Sequence, residues 1–297
     1  MRIAIILFLA SFLRLSGTLY AQVPGVEHVV IVGCDGLTPR GIQAAKTPNI
    51  DELMRCGAFT LHAQAVKPSV SLPNWASLFM GATPKQHGIK SNSWKPSPPF
   101  DPACDGIRGI FPTIYEVLMV QRPDLIRAFF HDWEGIAQFA EGSAPDEIRD
   151  CKNEDKTVRC AVEYFKKRKP NLTFIYLDHV DHAGHSDGYE SKKYDRAVEK
   201  ADRLIGEILT GLKMAGMFEK TAILLTSDHG GIHRKHGGEK AVELEIPWIL
   251  FGAGVAQGKE LTTPVNIYDT AATIAYIFGA TPHPCWTGKP VLEAFIP

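Results

Sequence analysis

"HVVIVGCDGL", residues 28–37, is a short apolar run that stops at an Asp-Gly pair. A strand with one wet face alternates, so an unbroken run reads as a strand buried on both faces, as in parallel sheets covered by helices. "LTFIYLD" (172–178) and "TAILLTSD" (221–228) repeat the pattern, each running into an acid. "IRAFFH" (126–131) and "PWILFGAG" (247–254) supply further strands. Helical stretches lie between them: "TPNIDELMRCG" (47–57), opened by Thr-Pro and closed by Gly, then "TIYEVLMVQ" (113–121), "TVRCAVEYFKKRK" (157–169) and "YDTAATIAYIFGA" (268–280). Tyr194, Val198, Ala201, Leu204, Ile205, Ile208 and Leu212 recur at helical spacing and predict one long amphipathic helix. This alternation predicts an α/β fold, a mostly parallel central sheet with helices on both faces. Ligands of such sheets bind outside the carboxyl ends of the strands. Asp35, Asp178 or Asp181, and Asp228 stand at such ends and are expected to converge.

The 297 residues are 45% hydrophobic and 22% charged, with a formal net charge of −1. That balance suits a globular domain and argues against a nucleic-acid polymer as partner. The first 21 residues differ from the rest: Arg2, the apolar "IAIILFLASFL", then "TLYA" ending at Ala21. This is the pattern of an export signal, too short to span a bilayer comfortably and interrupted by Arg14. The expectation is an exported chain, periplasmic or secreted, without a membrane span once the signal is removed. No Pro/Gly/Ser-rich linker divides residues 22–297, so one domain is expected there. Six cysteines are present, and export would let them oxidise. Cys151 and Cys160 are close enough in sequence to pair, whereas Cys34, in the apolar strand, reads as a buried thiol. The absence of a Cys-x-x-Cys spacing argues against a thiolate zinc site.

Two clusters carry the chemistry. "LDHVDHAGHSDG" (177–188) holds three Asp and three His. Asp181 and His185 are four apart, which on a helix puts carboxylate and imidazole within reach of one cation. His179 and His182 read as supporting or solvent-facing. "TSDHGGIHRKHGG" (226–238) is the second cluster. Adjacent Asp228 and His229 would face opposite ways in a strand, so both can serve one ion only where the strand has ended, as the glycines after them suggest. His236 in "KHGG" is preferred to His233 as a further ligand. Asp35, Asp228, His229, Asp181, His185 and His236 exceed the three or four ligands of one zinc, so two divalent ions are expected. Mixed imidazole and carboxylate favour zinc or another first-row metal over calcium or magnesium.

"SVSLPNWASLFMGATPKQHGI" (69–89) opens a helix with hydroxyls. Pro73 fits the first helical turn, which places Ser71 at the helix N-terminus. Spacing alone leaves Ser71 as either helix cap or nucleophile. A Gly-x-Ser-x-Gly elbow is absent, which disfavours a hydrolase triad.

In this order, "VVIVGCDGL", "VSLPNWASLFMGATPKQHGI", "LDHVDHAGH", "SDHGG" and "KHGG" resemble the alkaline phosphatase superfamily, in particular its type I phosphodiesterase/nucleotide pyrophosphatase branch. "YDTAATIAYIFGATPHPCWTGKPV" is similar to that superfamily's C-terminal helix and tail, so the resemblance covers nearly all of residues 22–297. It implies that Asp35, Asp228 and His229 hold one ion together with Ser71, and that Asp181, His185 and His236 hold the other. It implies that Ser71 is the nucleophile, usually Thr in this branch, forming a phosphoryl-serine intermediate. Asn92 and N–H groups near Leu72 would bind the non-bridging phosphoryl oxygens. Asn74 reads as helix-start structure. Asn-Trp, at Asn74 and Trp75, replaces the branch's common Asn-His and implies a different pocket wall. The Ser-Leu-Pro-Asn-Trp stretch lacks the Arg of a formylglycine signal, which disfavours a sulfatase. Length and leader disfavour a phosphoglycerate mutase.

The expected substrate is a small phosphodiester or nucleotide. Two divalent ions against three carboxylates and an alkoxide leave a neutral core, which tolerates the single charge of a diester. A monoester dianion would profit from another cation, for which Lys67 and Lys90 are the nearby candidates. Phosphomonoester hydrolysis is the alternative activity, and an exported metal-binding protein without turnover the alternative class.

Overall fold

The computed structural model describes residues 22–95, 104–107, 109–140 and 144–297. The expected leader lies outside them, as does most of the Pro-rich stretch 93–104. Strand β1 (His28–Cys34) is central, paired in parallel with β5 (Leu172–Leu177) on one side and β6 (Thr221–Thr226) on the other. β3 (Arg127–His131) and β4 (Glu147–Asp150) extend the β5 side. Beyond β6 come β7 (Glu245–Gly252), β2 (Ala58–Gln64) and the short β8 (Lys259–Glu260). β7 runs antiparallel to both its neighbours, and the other pairs are parallel.

Every residue of β1 is buried, and successive side chains enter different cores. Val29 and Ile31 join one cluster with Trp75 and Phe79, while Val30, Val32 and Cys34 join the other with Ile205 and Ile208. Each such side chain contributes about 1.5–3 kcal/mol on burial. The first face is covered by α3 (Ser71–Met80), α5 (Ile114–Gln121) and α11 (Asp269–Ile277). The second is covered by α9 (Lys192–Met214), which packs against α1 (Pro39–Ala44), α2 (Pro48–Cys56), α7 (Glu154–Arg168) and α8 (His179–Asp187). The short helices are α4 (Pro84–His87), α6 (Glu134–Ala140) and α10 (Ala241–Leu244).

Helix α7 starts three residues before the expected position. Asn153 caps it by accepting from the Lys156 N–H, and Glu154 and Asp155 suit the positive end of the helix dipole. The disulfide joins Cys104 to Cys285, 181 residues apart, while Cys151, Cys160 and Cys34 are thiols. Nearness in sequence therefore did not select the pair; the fold brings the C-terminal tail to the last residue of the Pro-rich stretch. Among the described residues no helix is long and apolar enough to cross a membrane.

Candidate metal centre

β1, β5 and β6 are neighbours and parallel, so the residues that follow them emerge side by side. Asp35 follows β1 directly, Asp228 lies two residues past β6, and Asp181 sits in the first turn of α8. Gly36 makes this approach possible. Its φ is 65°, and a Cβ there would lie 2.8 Å from Asp181 Oδ1.

Asp35, Asp228 and His229 are buried, at 1%, 0% and 0% exposure. The Nε2 of His229 lies 3.3 Å from Asp35 Oδ1, from Asp228 Oδ2 and from Ser71 Oγ. Its Nδ1 donates to the Gly230 carbonyl at 2.9 Å, which turns the Nε2 lone pair towards those oxygens. Asp35 Oδ1 and Asp228 Oδ2 have no hydrogen-bond partner. Burial and then the charge of Asp228 push the Asp35 carboxyl well up, and burial and then the charge of Asp181 do the same to Asp228. Unpartnered, buried oxygens beside an imidazole lone pair fit a divalent cation of the zinc type, which would remove the repulsion.

The next group is more open. Asp181 Oδ2 lies 3.3 Å from His185 Nε2, as the four-residue spacing on α8 dictates. The Nε2 of His236 lies 3.1 Å from that of His185 and 4.0 Å from Asp181 Oδ1. The Nδ1 atoms face carbonyls, Arg234 at 3.0 Å for His185 and Ser69 at 2.8 Å for His236. With both Nδ1 atoms donating, two Nε2 lone pairs confront each other beside a carboxylate, an arrangement that also fits a cation. Without one, a proton serves. The Asp181 hydrogen bond holds His185 up at about 9, while burial lowers His236 to about 4. Burial would raise Asp181, but hydrogen bonds from His185 and Tyr189 hold it below the usual carboxylate range. The His229 and His236 rings stack with centroids 3.7 Å apart, so the two groups adjoin.

The other sequence candidates are placed as follows. Ser71 is the first residue of α3, preceded by Val70 at the cap position, and its hydroxyl contacts His229 Nε2 rather than a helix N–H. Ser69 is not a cap either; its hydroxyl donates to the Gly238 carbonyl at 2.8 Å. Asn74 Oδ1 accepts from the Val66 N–H at 2.6 Å and Nδ2 donates to the Val70 carbonyl at 2.9 Å, so it ties down the segment before the helix. Asn92 Oδ1 accepts from the Leu72 N–H at 2.8 Å. That N–H, expected to bind substrate, is therefore engaged, and Nδ2 is the donor that Asn92 keeps. His182 pairs with Asp178 at 3.0 Å and His179 Nε2 lies 3.2 Å from the Ala197 carbonyl. His233, exposed with φ 54°, is not among the residues brought together. Lys67 is paired with Glu239 at 2.8 Å.

Trp75 does not form a pocket wall, contrary to the expectation from its place after Asn74. It is fully buried, and its indole N–H donates to Asp35 Oδ2 at 3.2 Å. Tyr176, which the sequence reading overlooked, donates to the same oxygen at 2.5 Å and lies 3.1 Å from Asp178 Oδ1. The signal was its position in β5, two residues before the strand-end acid. Both donors occupy Oδ2 and leave Oδ1 facing His229. Tyr176→Phe is expected to weaken binding of a divalent ion about tenfold or more, as loss of a ligand's supporting hydrogen bond commonly does. Calorimetric titration of the chelated protein with zinc checks this, and unchanged affinity would show that Oδ2 needs no such support.

A sequence profile described as type I phosphodiesterase/nucleotide pyrophosphatase matches residues 29–103 and 119–246. Mouse ectonucleotide pyrophosphatase/phosphodiesterase family member 1 is 25% identical over 198 residues, 62% of this chain and 21% of that protein. Venom phosphodiesterase CdcPDE of Crotalus durissus collilineatus is 27% identical over 204 residues, 62% of this chain and 23% of that protein. The chain thus spans about a fifth to a quarter of the length of these relatives. Murine ectonucleotide pyrophosphatase/phosphodiesterase 5, solved in an inactive threonine-to-alanine form in complex with AMP, superposes with TM-score 0.73 at 16% identity, covering 87% of this chain and 96% of that one. A 2-O GAG sulfatase superposes with TM-score 0.72 at 16% identity, covering 89% and 73%. Strand-end acids, following histidines and the matched profile agree: the chain belongs to the type I phosphodiesterase/nucleotide pyrophosphatase family, within the alkaline phosphatase superfamily.

Proposed function

We propose that this chain hydrolyses phosphodiester or pyrophosphate bonds of small nucleotide-like substrates through a phosphoryl-serine intermediate. The observation that carries this is the Ser71 hydroxyl, free of capping duty and 3.3 Å from His229 Nε2, beside the orphaned oxygens of Asp35 and Asp228. Asp35, Asp228 and His229 would hold one divalent ion, and Asp181, His185 and His236 the second, with zinc favoured by the ligand types. Such ions supply Lewis-acid neutralisation of charge at the attacking and leaving oxygens. Ser71 Oγ attacks phosphorus in line, the bond to the leaving oxygen breaks on the opposite side, the hydroxyl proton passes by way of solvent to that oxygen, and a serine phosphoester remains. Water then displaces the serine oxygen by the reverse geometry. Asn92 Nδ2 binds a non-bridging oxygen, oriented by the Leu72 N–H on its carbonyl. Such fixed donors act most strongly on charge that develops in the transition state.

The diester is preferred to the monoester because two divalent ions against three carboxylates and the Ser71 alkoxide leave a neutral core, which tolerates the single charge of a diester. The ectoenzymes and venom enzymes among the relatives support an exported chain, as does the expected leader. The test is kcat/KM of the zinc-loaded protein on two p-nitrophenyl esters, a thymidine monophosphate diester and a phosphate monoester. A diester preference of about tenfold or more, equivalent to about 1.4 kcal/mol, is expected. A monoester preference would overturn the diester reading and make the protein a phosphatase on the same fold.

A further inference from the structure

The segment from His87 to Asn92 touches the Ser71 helix at two places. At the open end, Asn92 Oδ1 accepts from the Leu72 N–H. The other contact lies behind it. His87, the last residue of α4, is fully buried. Its Nδ1 accepts from the Ile89 N–H at 3.1 Å, so the ring proton sits on Nε2. Nε2 lies 3.0 Å from Ser77 Oγ on α3. Burial lowers the imidazole to about 3, so the ring carries no charge at ordinary pH and the assignment of donor and acceptor does not change. Between the two contacts the chain has little freedom. Gly88, at φ 79°, reverses it, Ile89 is fully buried, and a turn at residues 91–94 closes with the Trp94 N–H on the Ser91 carbonyl at 3.2 Å.

We propose that His87 is a positioning residue: through one fixed tautomer it clamps the 87–92 segment to the Ser71 helix and so sets where Asn92 stands relative to Ser71. The proposal rests on Asn92 binding the phosphoryl group, as read above. His87 itself does not reach the substrate. It joins the second turn of the helix to the segment, while Asn92 joins the first, and the two links together fix both translation and tilt.

The experiment is a double-mutant cycle. His87→Phe keeps a ring of similar size and removes both nitrogens. In the wild-type background it is expected to lower kcat/KM on the diester by about 10- to 100-fold, the scale of a displacement of about 1 Å in a catalytic group. In an Asn92→Ala background the same change should cost no more than about twofold, because the group it positions is gone. Equal factors in both backgrounds would overturn the proposal, since His87 would then act elsewhere. If the Phe variant fails to fold, the cycle is run with His87→Gln, whose amide offers one donor and one acceptor. That variant should keep most of the activity, and a loss equal in both backgrounds would again overturn the proposal. Hydrogen exchange at the Leu72 amide reads the Asn92 contact without turnover. It should quicken by about tenfold in the His87 variant, and unchanged exchange would overturn the clamp even if no Ser71-dependent hydrolysis were found. Loss of turnover in every form, with quickened exchange, would sink the phosphodiesterase reading and leave the clamp standing.

Discussion

Ser71→Ala is expected to lower kcat on the diester by about a thousandfold or more, the scale on which an enzyme loses its nucleophile. The same change should leave stability within about 0.5 kcal/mol, because the hydroxyl makes no bond to the N–H groups of its own helix. A serine acting as a cap would give the reverse pattern, costing about 1 kcal/mol of stability and little activity. Kinetics and a thermal melt on one purified variant therefore separate the two roles. Ser71→Thr should retain turnover, since it keeps the hydroxyl and the family commonly places threonine there. The idea fails if Ser71→Ala keeps wild-type turnover.

Removal of divalent ions should lower the melting temperature by about 10 °C. An ion at about a thousand times its Kd stabilises the native state by about 4 kcal/mol. A protein of this size loses about 2–4 °C per kcal/mol. The physical cause lies in Asp35 and Asp228, buried with one unpartnered oxygen each. The sharper form of the prediction uses Asp228→Asn. With ions present this variant should melt below wild type, having lost a ligand. After chelation the order should reverse, because the amide removes a buried like charge that wild type must neutralise by taking up a proton. Calorimetry with and without chelator checks both arms. Identical melts for wild type in the two conditions would mean that these acids hold no ion.

Much of this centre could be read before any coordinates, and the reason is geometric. Asp35 and Asp228 end apolar runs, and runs that long and unbroken belong to central parallel strands whose ends lie together. Asp181 and His185 were tied by helical spacing. His236 over His233 was a weaker inference, resting on the glycines that follow His236, and the structure brings His236 rather than His233 to the cluster. What escaped depends on partners distant in sequence. β2, "AFTLHAQ", carries polar residues and has a register shift between Thr60 and Ala63; it is a strand because β7 pairs with it. The reversed direction of β7 leaves no trace in "PWILFGAG". β4 is four residues long and mostly charged, below what periodicity can detect. Trp75, whose replacement of the family's His implied only a different pocket wall, instead supports a carboxylate from behind through its indole N–H. Asn92 sits in a turn with no periodic signal, and only the resemblance drew attention to it.

The central place of β1 governs how the molecule can be made. The residues that flank this strand in the sheet, Leu172 and Thr221, come far later in the chain. At translation rates of about 5–20 residues per second, the strand waits on the order of ten to forty seconds for its second neighbour. Until then the central apolar core stays open, and folding dominated by such distant contacts is slow. Asp35 cannot meet Asp228 before that point, so the candidate metal centre assembles only once β6 has been made.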